Sequence, residues 1–313
     1  MRSQTSSLNS FNRNLLTVAP LVGAALSANK PVVALESTVI AHGLPRPQNL
    51  ETAQSLEEIV REEGATPATI AILKGKLCVG LEPDQIEELA NSENVRKIST
   101  RDLPVARARQ WNGATTVAST IWIAHRAGIP VFATGGIGGV HRGELPDVSA
   151  DLPELARTPM MVVCSGAKSV LDLPATREWL ETYGITVAGY QSDEMPGFYS
   201  RLSGLRVDVR CDSPVEVAQL FRTQRELKID RALLVTVPVP ADAEVPSELF
   251  DRLLEQSLRD ARAREISGRD VTPFLLARLS ELSQGATLRA NIALLKNNAR
   301  IAAQIAGTLC AER

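Results

Sequence analysis

Residues 115–136 read TTVASTIWIAHRAGIPVFATGG. The first part, 115–128, is an apolar helix; the second, 129–136, is an apolar strand that ends in glycines. A strand that is apolar at successive positions is buried on both faces, which means a sheet with helices above and below it. The unit recurs outward in both directions. PVVALE (31–36) is a buried strand, followed by an amphipathic helix over 47–64 with Leu50, Ala53, Leu56 and Val60 on one face and Gly64 at its end. ATIAIL (68–73), VRKIS (95–99), MMVVCS (160–165), ITVAGY (185–190) and RALLVTV (231–237) read as further strands. Helices are expected over 82–91, 175–184 and 213–227, and three more, near 246–265, 272–284 and 287–308, close the chain. Connections 74–80 and 191–212 look hairpin-like or irregular, so a mixed sheet is expected. The reading is α/β: one three-layer α/β/α domain with a large mixed sheet.

The chain has 313 residues, enough for one large α/β domain. Its net charge of −2 and 4% aromatic content carry no nucleic-acid signature. Cys78, Cys164, Cys211 and Cys310 are far apart and form no ligand pair, as expected of a reduced, cytoplasmic protein. No apolar run approaches the roughly 18 residues of a membrane span. Residues 1–12 are rich in Ser and Asn, and no Asp or Glu occurs in the first 35 residues. A flexible extension over 1–19 is expected, then one domain over 20–313; an organelle transit peptide is the alternative for the first segment.

Ligands of open α/β sheets gather at the carboxyl ends of strands. Four polar or glycine-rich segments follow strands here: ESTVIAHG, STRDLP, GGIGGVHRGE and SGAK. Lys168 lies in the last. Taken alone it reads as a surface lysine in a first helical turn, paired with Asp172. Read functionally, a helix N-terminus and partial burial both push the amine toward its neutral, nucleophilic form. Glu36 ends an apolar strand, either turned to solvent or buried with a raised pKa as a proton donor and acceptor. The glycines at 135, 136, 138, 139 and 143 match neither a dinucleotide nor a P-loop motif. They form a tight turn or let backbone approach an anion, for which His141 and Arg142 are suited. Asp147 and Asp151 could hold a hard divalent ion largely through waters, and Ser149 or Asp151 could instead cap a helix at 152–157. Asn291 and Asn298 lie mid-stripe among Leu288, Leu295, Ala302 and Ile305 of the last helix, and a buried amide needs partners; Asn298 is read as tying loops together. His125 is read as structural.

The stretches PVVALESTVIAHGLPRPQN, GATPATIAILKGK, ISTRDLP, NGATTVAST, FATGGIGGVHRG, DVSADLPELA, VVCSGAKSVLDLPATREWLET, TPFLLARLSELS and NIALLKNNA occur in that order over 20–306. With them the chain resembles the pseudouridine-5′-phosphate glycosidase family, of indigoidine-synthase-A-like fold. That resemblance implies reversible cleavage of the C–C glycosidic bond of pseudouridine 5′-phosphate to uracil and ribose 5-phosphate, with a divalent metal, usually Mn²⁺. It implies Lys168 as the Schiff-base lysine, Glu36 as the acid/base and Asp147 as the metal ligand. Substrate contacts fall on Lys97, Val117, Ser149, Ala150, Asp151 and Asn291. It further implies a homotrimer and a pseudouridine kinase on a separate chain. RGELPDVSAD departs from the family's pattern, which has a slightly longer loop with an aromatic beside the aspartate. The competing readings are a sugar-phosphate-binding paralogue in pigment biosynthesis, a non-catalytic regulator and a Schiff-base aldolase.

Overall fold

The computed structural model describes residues 12–143, 147–266 and 271–311. Its strands are β1 (Leu16–Val18), β2 (Val32–Leu35), β3 (Thr66–Leu73), β4 (Lys76–Val79), β5 (Arg96–Ile98), β6 (Gly113–Thr115), β7 (Val131–Ala133), β8 (Met161–Cys164), β9 (Thr186–Tyr190), β10 (Val209–Cys211) and β11 (Leu233–Thr236). They join in one eleven-stranded sheet of order β1-β4-β3-β2-β7-β8-β11-β9-β10, with β5 paired to β6 and β6 to β3. Pairing is parallel except at β3–β4 and β3–β6, so the expected mixed sheet is present, and 74–80 does contain the return strand of a hairpin. Every residue of β2, β7, β8 and β11 is buried, as strands covered on both faces must be.

The covering helices follow the apolar stripes. Ala53, Leu56 and Val60 face inward from the helix Gln48–Glu62, and Gly64, at φ +80, takes the left-handed turn that ends it. Gly128, at φ +91, does the same for the helix Val117–Ala127. The last helix, Ala286–Ala311, packs across β2, β7 and β8, flanked by Gln48–Glu62 and Pro214–Glu226. None of the helices among the described residues is long and apolar enough to cross a membrane.

Sequence reading missed β1, β6 and β10. Each has three residues, too few to show a period. The flexible extension expected over 1–19 is corrected at its end, because Leu16–Val18 pair in parallel with Leu77–Val79. The rest of that expectation, for residues 1–11, lies outside the described residues.

Candidate active site

Three neighbouring parallel strands, β2, β7 and β8, deliver the centre of the site from their carboxyl ends. Glu36 follows β2, Thr134 follows β7, and Lys168 lies four residues beyond β8. They line a cavity of about 530 Å³. Every residue expected at the site borders it: Glu36, Lys97, Val117, Asp147, Ser149, Ala150, Asp151, Lys168 and Asn291. All four segments expected at strand ends contribute.

Glu36 is 8% exposed, which removes the solvent-facing reading. The Thr134 hydroxyl donates to its Oε1. Burial raises its carboxyl above the ordinary 4.5; the charge of Lys168, the Thr134 bond and the charge of Lys97 oppose the rise, and Asp151 adds to it. A buried carboxyl with a raised pKa beside a lysine is suited to give up a proton and take one back. Nearby Cys164 is no rival nucleophile, since burial pushes its thiol up to about 12.

Lys168 corrects one expectation. It is not in a first helical turn: the next helix is Leu173–Thr182, and Asp172 caps it by accepting the Ala175 N–H at 3.0 Å. The chain instead prolongs the β7–β8 ladder past the strand ends. Ser165 N–H donates to Gly135 C=O at 2.8 Å, Ile137 N–H to Gly166 C=O at 3.0 Å, and Lys168 N–H to Ile137 C=O at 3.0 Å. The helix-dipole argument therefore does not apply to this lysine, and its rigidity comes from the ladder. Gly166, at φ +81, makes the turn, and a Cβ there would lie 2.4 Å from the Pro196 carbonyl oxygen.

The glycine-rich segment packs against its surroundings. Ser149 N–H donates to Gly139 C=O at 3.0 Å and His141 N–H to Asp147 C=O at 2.8 Å. Asp151 locks this turn to the helix Val117–Ala127: its Oδ2 accepts the Gly138 N–H at 2.8 Å and its Oδ1 accepts the Ala118 N–H at 2.9 Å. A Cβ on Gly138 would sit 2.2 Å from Ser149 Oγ. Ser149 Oγ accepts the Asp151 N–H at 3.2 Å, but the helix Asp151–Leu155 has Ala150 at its N-cap and no side-chain cap, so the expected capping by Ser149 or Asp151 is corrected. His141 borders the cavity, whereas the Arg142 guanidinium is turned to the Leu171 carbonyl at 3.0 Å.

With both Asp151 oxygens engaged by backbone, Asp147 is the exposed carboxylate left on this wall among the described residues. No cluster of three or more His, Cys, Asp and Glu suited to a metal occurs among the described residues. One carboxylate fits a hard ion that keeps most of its water shell, not a fully caged one. The shortened loop beside it, residues 144–146, lies outside the described residues.

The amides of the last helix divide as read. Asn298 is fully buried and its Nδ2 donates to Thr134 C=O at 2.9 Å and Ser165 Oγ at 3.1 Å, tying the ends of β7 and β8 together. Asn291 borders the cavity. Around it lies an apolar wall of Leu171, Phe198, Pro273, Leu276 and Leu295, while Lys97, Arg101, Thr116 and Val117 border the same cavity with cationic and polar groups. Thr134, His42, Phe198 and the Pro273–Leu276 wall were missed from sequence. Thr134, directly before the glycines at a strand end, carried a readable signal; the others depend on tertiary approach.

Fold and site define an enzyme, with a buried carboxyl of raised pKa after β2 and a lysine beyond β8, on either side of β7, above one cavity. Residues 21–308 match the family described as Indigoidine synthase A like protein. The chain is 50% identical over 287 residues to pseudouridine-5′-phosphate glycosidase of Caldanaerobacter subterraneus, spanning 91% of this chain and 94% of that one. It is 52% identical over 297 residues to the protein of the same name from Methylobacterium nodulans, spanning 94% and 88%. Among solved structures, an indigoidine synthase A-like protein from Thermotoga maritima matches with a TM-score of 0.88 and 40% identity over 97% of this chain and 100% of that one. The prealnumycin C-glycosynthase AlnA, in complex with ribulose 5-phosphate, matches at 0.87 and 39% over 95% and 97%. The chain belongs to the indigoidine synthase A-like family and, within it, to the pseudouridine-5′-phosphate glycosidases.

Proposed function

We propose that this enzyme cleaves the C–C glycosidic bond of pseudouridine 5′-phosphate reversibly, through an imine between Lys168 and the opened sugar. The observation that carries the reading is the buried Glu36, its pKa raised by burial and opposed by the charge of Lys168, inside one cavity with that lysine. Carbon C5 of uracil is a poor leaving group from a closed sugar. Glu36 gives its proton to the ring oxygen as the C1′–O bond breaks, and the Lys168 amine bonds to C1′. The Glu36 carboxylate then takes the surplus proton from the new C–N nitrogen and passes it to C5. As C5 accepts it, the C5–C1′ pair leaves with uracil and the nitrogen lone pair forms the iminium. Water hydrolyses that iminium to ribose 5-phosphate and free Lys168.

The cationic and backbone-rich part of the cavity, with Lys97, Val117, Ser149 and Ala150, suits the phosphate. The apolar wall suits the flat faces of uracil, and the Asn291 amide offers a donor and an acceptor to its lactam edge. Asp151 acts by holding the Gly138 turn against the Val117–Ala127 helix. Asp147 would hold a Mn²⁺-like ion through a largely aqueous shell, adding positive charge beside the sugar phosphate. We further infer a cytoplasmic homotrimer.

A second reading follows from the match to a C-glycosynthase: the same lysine and carboxylate would join a sugar phosphate to another aromatic carbon. The test is uracil release from pseudouridine 5′-phosphate with Mn²⁺, beside borohydride trapping with ribose 5-phosphate. Uracil release and one adduct, on Lys168, are expected. An adduct without uracil release favours the second reading; an adduct on Lys74, Lys76 or Lys97 overturns the assignment of the lysine.

A further inference from the structure

Two stretches carry more hydroxyls than the reaction above uses: ESTVIAHG, which follows β2, and NGATTVAST, which contains β6. They meet at Ile70, where β3 changes partners. Thr66–Thr69 pair in parallel with β2, and Ala71–Ile72 pair antiparallel with β6. Thr69 C=O accepts the Gly80 N–H from the β4 side, so the next carbonyl, that of Ile70, points toward β2 and β6. Two fully buried hydroxyls converge on it: Ser37 Oγ donates at 2.6 Å and Thr115 Oγ1 at 2.7 Å. Thr115 N–H donates to Ser37 Oγ at 2.8 Å, Thr38 Oγ1 to Thr115 C=O at 2.7 Å, and Thr120 Oγ1 to Thr115 Oγ1 at 2.9 Å. The Ile70 oxygen uses both lone pairs, and each hydroxyl of the cluster has an acceptor.

Ser37, Thr115 and Thr120 stand behind the cavity wall, not in it. Their neighbours in sequence are in it. Glu36 immediately precedes Ser37. Thr116 and Val117 immediately follow Thr115, and Lys97 of β5 pairs with Ala114 of β6. β2 and β6 both pair with β3 but not with each other. No shared ladder therefore sets the distance from Glu36 to the Lys97–Val117 side; the hydroxyl cluster bridges that gap. A sugar phosphate held at one end by its phosphate and protonated at the other by Glu36 tolerates little error in that distance. We propose that Ser37 and Thr115 are positioning residues, whose hydroxyls fix the span between Glu36 and the part of the cavity that takes the phosphate. This rests on Glu36 as proton donor and on the phosphate lying at the Lys97–Val117 side, as proposed above.

The test uses three single variants of the full chain and one double variant. Thr115→Val keeps the shape and removes the hydroxyl; Thr115→Ser keeps the hydroxyl and removes a methyl. Ser37→Ala takes the acceptor from the Thr115 N–H. Single-turnover uracil release from pseudouridine 5′-phosphate is expected to slow about tenfold or more in Thr115→Val and Ser37→Ala, the scale of a sub-ångström misplacement. The Kd of ribose 5-phosphate should change less, because each half of the cavity stays whole. Thr115→Ser should lose Tm but keep its rate, and Ser37→Ala added to Glu36→Gln should cause no further slowing. A Ser variant as slow as Val would make the role packing and overturn the proposal. So would wild-type rates in Thr115→Val, or an equal slowing by Ser37→Ala with and without Glu36. Should Ser37→Ala not fold, the two Thr115 variants decide alone. If the unsubstituted enzyme released no uracil, the glycosidase reading would fail instead, and the tie would be judged by amide hydrogen exchange. Faster exchange over 115–118 in Thr115→Val but not in Thr115→Ser supports it, and equal exchange in the two overturns it.

Discussion

Replacing Asn298 by leucine tests whether the last helix sets the catalytic geometry. Leucine branches as asparagine does but is larger, so no cavity is left and some crowding adds to the polar loss. It removes an amide that bonds Thr134 C=O at 2.9 Å and Ser165 Oγ at 3.1 Å, with a longer contact to Gly135 C=O at 3.4 Å. Two fully buried polar groups then lose this partner, at about 1–3 kcal/mol each, or roughly 2–6 kcal/mol in all. Thr134 is the residue that donates to Glu36, and Ser165 opens the ladder that carries Lys168. The loss should therefore appear in catalysis as well as in stability. Urea unfolding should show a lower midpoint with unchanged slope. Single-turnover uracil release should slow by a larger factor than substrate affinity falls, because the groups displaced act in the chemical step. A variant that loses the expected stability yet keeps its single-turnover rate would refute the link between this amide and the Glu36–Lys168 pair. An unchanged urea midpoint would refute the energetic argument itself.

Glu36→Gln can still accept the Thr134 hydroxyl but cannot deliver a proton, so substrate binding should persist while turnover falls at least about a hundredfold, with little imine trapped. Fast trapping followed by stalled cleavage would place Glu36 after ring opening. The same variant has a pH signature. The folded-state pKa of Glu36 is raised above 4.5, so the wild-type fold binds this proton more tightly than the unfolded chain does and loses that stability as pH rises from 4.5 through the folded value. The Tm of Glu36→Gln should therefore improve relative to wild type as pH rises, and a difference that stays flat would contradict the raised pKa of the buried carboxyl. Gly138→Ala should cripple activity, since its Cβ would lie 2.2 Å from Ser149 Oγ and 2.7 Å from Asp151 Oδ2, while Gly143→Ala, with nothing among the described residues within 4 Å, should be silent. Chelation should abolish activity, restored by Mn²⁺, with Tm hardly moved, since Asp147 on the surface supports no fold; a large fall in Tm would indicate a structural ion.

The sheet was legible because its central strands are apolar without interruption, and the strand-end segments pointed to the cavity before any side chain was placed. What stayed hidden has a physical cause in each case. The three-residue strands carry too short a signal for periodicity. Lys168 follows an apolar strand and precedes a helical pattern, so the sequence cannot distinguish a helix start from backbone that continues pairing with Ile137; that depends on a neighbour 31 positions away. Asp151 looks like a cap or a metal ligand until Ala118 and Gly138 are seen to occupy its oxygens. Glu36 was the ambiguous case, and burial decided it.

The prolonged ladder from β7 to Lys168 separates what can vary from what must not. The lysine is mounted on backbone hydrogen-bonded between β7 and β8, and the carboxyl follows β2 on the other side of β7, in a sheet where a shift of one residue would reverse the direction of every side chain. The apolar wall around Asn291 comes largely from helices outside that register, at Pro273, Leu276 and Leu295. Mutation in those helices can reshape the partner accepted at the bond-forming carbon and leave the lysine's chemistry where it was. An ancestor with this frame could exchange one aromatic acceptor for another by surface change alone, which gives laboratory selection a short list of positions to diversify.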